Sequence, residues 1–92
     1  MKPFIGSYVW IPCEVKTGAF SDERMVLLDS DCDEWLGFAP ISSLKEVVSE
    51  GESHIKALVV NVNCEVLTVK VLGEPLTSGY IFNDLISRTQ PI

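Results

Sequence analysis

The chain has 92 residues, 47% of them apolar, and thirteen acids against seven bases give it a formal charge of -6. That length fits a single domain over residues 1–92, burying roughly 60–65% of the surface its unfolded form exposes, so help from oligomerisation is expected. The acidic balance repels phosphate backbones and anionic lipid headgroups, and the bases are dispersed along the chain, which disfavours nucleic acid and favours a cationic or protein partner.

The three cysteines, Cys13, Cys32 and Cys64, form no C-x-x-C pair, so neither a disulfide framework nor a zinc knuckle is expected, and a reducing cytoplasm fits best. The opening MKPFIGSYVWIPCEVK is broken by Gly6, Ser7 and Pro12 and does not read as a signal peptide. No apolar run approaches the ~18 residues of a membrane span.

In chain order, residues 8–16 alternate: Val9, Ile11, Cys13 and Val15 share one face, and Tyr8, Trp10, Glu14 and Lys16 share the other. This predicts a half-buried strand, and Pro12, which has no N–H for a ladder, puts its middle at an edge or a bulge. TGAFSD, residues 17–22, reads as a loop. Residues 23–29 and 34–40 read as two strands of a hairpin joined by SDCD. The stretch ISSLKEVVSEGES then supplies one short helical or 3₁₀ turn, with Ser42 or Ser43 as cap, Glu46 in its first turn and Gly51 ending it.

Residues 55–62 and 65–72 are the strongest strands, rich in β-branched side chains, and the Asn61, Asn63 pair reads as the turn between them. In the second, Leu67, Val69 and Val71 face away from Val66, Thr68 and Lys70. GEPLTSG, residues 73–79, is a turn-rich connection; residues 80–86 are a last strand or a short helix, and the tail SRTQPI frays. Five or six short strands with one helical turn predict a mainly β fold, either a small SH3-like barrel or a strongly bent antiparallel sheet.

The succession VWIPCEVKTGAFSDERMVLL, WLGFAP, SSLKEV, IKALVVNV and EVLTVKVLGEPL, over residues 8–86, resembles small bacterial SH3-like β-barrel orphan proteins of unknown function, some of them carried on mobile gene cassettes. The likeness lies in the pattern of segments, without a diagnostic motif. It implies a barrel and oligomerisation, and it carries over no catalytic residue.

Candidate chemistry gathers in LLDSDCDEWLGF, residues 27–38. Asp29, Asp31 and Asp33 match the first ligand positions of a calcium loop of EF-hand type, but its sixth position is Glu34 instead of Gly and its twelfth is Pro40 instead of Glu. The stretch therefore reads as a hairpin turn whose Asp and Ser side chains serve backbone N–H groups. No metal, cofactor or catalytic residue is expected.

The aromatics carry more. Tyr8 and Trp10 lie on the polar face of the first strand, Phe20 is in a loop, Trp35 and Phe38 fall on opposite faces of one strand, and Tyr80 and Phe82 share a parity. Trp10, Phe20 and Trp35 are expected to make contact with a partner, with Asp22, Glu23, Asp33 and Glu34 supplying charge: an aromatic, acidic surface for self-association, for another protein or for a small cation. Two other classes of function compete with this reading. One is a small hydrolase or weak divalent-metal binder using His54 or the Asp29 to Glu34 loop; the other is a single-strand nucleic-acid binder.

Overall fold

The structure, a computed structural model, describes residues 3–76 and 79–92. Its strands are β1 (Tyr8–Thr17), β2 (Glu23–Asp29), β3 (Glu34–Pro40), β4 (Gly51–Asn63), β5 (Val66–Val71), β6 (Glu74–Pro75), β7 (Ile81–Leu85) and β8 (Gln90–Pro91). They form one antiparallel sheet, in the order β6-β3-β2-β1-β4-β5-β7, with β8 also pairing β1. The sheet curls into a half-barrel, the mainly β, strongly bent architecture that the strand pattern predicts.

One side chain in two from each long strand points into the curl. Val9, Ile11, Val15, Val26, Leu28, Ile55, Ala57, Val59, Leu67, Val69, Val71 and Phe82 are all at most 2% exposed, and Trp35 joins them. The two-residue period explains the selection, because only one face of each strand meets the interior.

Pro12 sits where its chemistry permits. Along one side of β1, β2 pairs from Glu14 onward and β8 pairs only Val9 and Trp10, so residues 11–13 have no strand opposite them there. On the other side β4 pairs β1 from Tyr8 to Val15. A residue without an N–H costs no ladder bond facing that gap.

The free ends of the curled sheet are drawn together by the β2–β3 turn. Ser30 Oγ donates to the Asn83 carbonyl of β7 (2.7 Å), and Asp33 Oδ2 accepts from the Asn83 backbone N–H and side-chain amide (3.3 and 3.2 Å). From β3, Trp35 Nε1 donates to the Gly79 carbonyl (3.0 Å). An edge strand that would otherwise offer unpaired backbone groups is thereby capped.

Four expectations need correcting. The 3₁₀ turn spans Ile41–Ser43 with Pro40 ahead of it and no side-chain cap, so Ser42 and Ser43 cap nothing and Glu46 lies beyond its first turn. Gly51 opens β4 instead of closing that turn, at a φ of 116° that only glycine adopts readily. A bulge between Val59 and Asn61 keeps Asn61 inside β4, and the reversal falls on Cys64 and Glu65, with Cys64 left-handed at φ 55°. The tail does not fray: Ile86–Arg88 forms a second 3₁₀ turn and Gln90–Pro91 pairs β1. In the 73–79 connection, Glu74 and Pro75 pair β3, and Thr77 and Ser78 lie outside the described residues. No helix of the described residues is long and apolar enough to cross a membrane.

Candidate functional site

The LLDSDCDEWLGF segment is a turn built by its own polar side chains. Ser30 Oγ accepts from the N–H groups of Cys32 and Asp33 (3.2 and 3.1 Å), and Asp33 Oδ1 accepts from the Glu34 N–H (2.9 Å). With Asp33 Oδ2 engaged by Asn83, both oxygens of this carboxylate are spent on structure. Among the described residues no cluster of three His, Cys, Asp or Glu side chains is arranged to hold a metal ion.

The seven residues expected to form a contact surface are scattered. Trp35 is 1% exposed and points into the core, so it meets no partner. Phe20 is exposed beside Asp22 and Glu23 at one end of the β2–β3 hairpin. Asp33 and Glu34 stand at the opposite end, about 20 Å away along a seven-residue strand. Trp10 belongs to the outer face of the sheet, half-buried on β1, and by strand parity Glu23 and Glu34 share that face at the two ends of the hairpin.

That outer face is the larger feature. Register places Trp10 and Tyr8 of β1 beside Lys56 and Leu58 of β4, Leu27 of β2 beside Glu14, and Leu36 and Phe38 of β3 opposite Leu27 and Met25. All of these point away from the core. Two tyrosines already have cations from within the chain: Lys56 Nζ lies 4.7 Å from the ring centre of Tyr8 on this face, and Lys70 Nζ 5.7 Å from that of Tyr80, just ahead of β7. Trp10 and Tyr8 are thus edged by Lys56, while Phe38 pairs with Glu74 and Phe20 stays beside Asp22 and Glu23.

Farther along the same two strands the charge reverses. Glu14 and Glu52 are directly opposite each other in the β1–β4 ladder, a pairing that costs stability. Neither has an ion-pair partner among the described residues. They line an open cleft of about 610 Å³ that also touches Pro12, Leu27, Asp29 and His54. A second cleft, of about 410 Å³, is apolar and lies among Phe4, Tyr8, Ile86 and Ile92.

His54 does not sit in a nucleophile–base pair. Its Nδ1 meets Glu46 Oε2 at 3.2 Å. Ser53 Oγ lies 2.7 Å from the Glu46 carbonyl and 3.2 Å from the same carboxylate. As consecutive strand residues, Ser53 points inward and His54 outward, so the carboxylate lies between them and the serine does not reach the imidazole. Cys13, opposite Ser53, is buried, and that burial pushes its thiol up to about 12, which removes it as a nucleophile at neutral pH.

Two carboxyls respond to pH in opposite senses. The hydrogen bond from His54 holds Glu46 below the usual glutamate range. Its stabilising effect is therefore present above that range and lost as pH falls through the lowered value. Burial pushes Asp84 above the usual aspartate range, against the pull of the Leu85 N–H and the Arg88 guanidinium, and its Oδ2 has no hydrogen-bond partner. The folded state holds the Asp84 proton more tightly than the unfolded chain, so this group favours folding fully below about pH 4 and stops doing so as pH rises through the raised value. Urea unfolding of wild type and Asp84→Asn from pH 3 to 7 should show wild type losing stability relative to the variant as pH rises. A difference that stays flat would put the Asp84 carboxyl in an ordinary environment.

No family model, no curated protein and no solved structure matches the chain.

Proposed function

We propose that this protein is a non-enzymatic interaction module that assembles with copies of itself through the outer face of its curled sheet. The observation that carries the reading is two groups of outward apolar side chains, Trp10 and Leu58 on β1 and β4 and Met25, Leu27, Leu36 and Phe38 on β2 and β3, all half-buried and covered by no second layer among the described residues. A single curled sheet needs only one apolar face for its core, and apolar groups on the other face suit an association surface. A small cation is a weaker fit to the aromatic part of the face, because Lys56 already stands over the Tyr8 ring and beside Trp10.

Light scattering coupled to size exclusion tests the reading on wild type and on a Trp10→Ala, Leu58→Ser double variant. Wild type is expected at a multiple of the 10.2 kDa chain mass and the variant at the chain mass itself. Wild type running as a single chain at every concentration would sink the proposal.

A further inference from the structure

The outer face is electrically divided along its strands, and that division selects an arrangement for the self-association proposed above, on which this inference rests. One row across β1 and β4 pairs Trp10 with Lys56; the next pairs Pro12 with His54; the one after pairs Glu14 with Glu52. Lys56 and Glu52 therefore stand on the same face of one strand, about 13 Å apart, with the Pro12–His54 row midway between them.

We infer that two copies pack outer face to outer face about a two-fold axis lying in the interface along the Pro12–His54 row, so that Lys56 of each copy meets Glu52 of the other. An axis along the strands would instead stack like charge on like charge, Glu14 and Glu52 upon those of the second copy. Rotation about the row across the strands reverses each strand while keeping β4 over β4 and β1 over β1. Trp10 then comes over Glu14 of the second copy, and Lys16, one step farther out, comes toward its Tyr8 ring.

Three observations support this arrangement. Glu14 and Glu52 repel each other across the ladder and neither is ion-paired among the described residues, Arg88 in the same cleft being held by Asp84 and the Asp29 carbonyl, a cost that an incoming ammonium offsets. The cleft of about 610 Å³ opens beside these carboxylates and can receive a long side chain. The row on the axis holds a proline, whose short ring lets the two faces approach. The occupant is a second copy because the face carries both halves of the charge pattern, at equal spacing from the axis, as an isologous contact requires.

The test is a charge exchange on the full chain, with circular dichroism to confirm that each variant folds. Lys56→Glu and Glu52→Lys should each weaken association about tenfold or more, since each sets like charge against like across the interface. The double variant Lys56→Glu, Glu52→Lys should recover the wild-type mass. An equimolar mixture of the two single variants should form a mixed dimer. In it the carboxylate introduced at position 56 of one copy faces the ammonium introduced at position 52 of the other, and the unaltered Glu52 and Lys56 face each other. If wild type associates but the single variants do so equally well, or their mixture forms no mixed dimer, this arrangement is wrong while self-association stands. If wild type is monomeric throughout, both fall.

Discussion

Trp35→Ala is expected to cost about 3–5 kcal/mol of stability, the range for deleting a large aromatic from a packed core. Against a total of about 5–15 kcal/mol for a domain of this kind, that leaves the variant close to unfolding at room temperature. The indole does two jobs. It fills the interior at 1% exposure, and its Nε1 donates to the Gly79 carbonyl, tying β3 to the segment that leads into β7. The site is made for it: a Cβ on Gly37 would stand 2.5 Å from the indole Cη2 and one on Gly73 3.1 Å from the same atom. Trp35→Phe keeps a ring but forfeits the hydrogen bond and part of the volume, at about 1–3 kcal/mol. Urea midpoints for both variants check this. An alanine variant within about 1 kcal/mol of wild type would show that the ring does not lie in the core.

Asp33→Ala should cost about 1.5–3 kcal/mol, the scale for hydrogen bonds to a charged group. Its carboxylate serves the Glu34 N–H within the turn and both the main chain and the side chain of Asn83 on β7. Asp33→Asn is no remedy, because turning an amide N–H₂ toward Asn83 sets donor against donor. The local signature is hydrogen exchange at the Asn83 amide, which should quicken more than amides of β1 and β4 do. Uniform protection in the variant would mean that β7 is held by its pairing with β5 and needs no clasp. A faster β7 would also predict aggregation on storage, since an uncapped edge recruits other strands.

The alternation of β1 and β5, and the bounds of β2 and β3, were legible in the sequence because each strand is half-buried and its period of two survives in the residue order. The same signal could not orient β3. Trp35, Gly37 and Ala39 share one face and Leu36 and Phe38 the other, and both sets are apolar. Inward and outward are decided by Gly37 and Gly73, which make room for the indole, and Gly73 belongs to a distant segment. The two-residue strands β6 and β8 carry too little pattern to register; they form because β3 and β1 present open ladder positions.

The candidate face was less legible still. Trp10 could be picked out as an aromatic on a polar face, but Lys56 beside it and Glu52 opposite Glu14 depend on pairing between residues some forty positions apart. No local window contains that register. The acidic turn drew notice because its carboxylates are adjacent in sequence, yet it serves the fold, and the charges that count on the outer face are neighbours only in space.

The burial of Cys13 equips the molecule with an internal clock. Cys32 and Cys64 stand exposed, so a thiol reagent should consume them at once, while Cys13 is buried, 7% exposed in the wall of the cleft, with its proton held to about pH 12. Its reaction is fast only in molecules whose β1 has left the sheet, since in the folded state the thiol is buried beside Glu14 and Glu52. Its labelling rate, measured beside two prompt internal references in the same chain, therefore reads the frequency with which the central strand lets go.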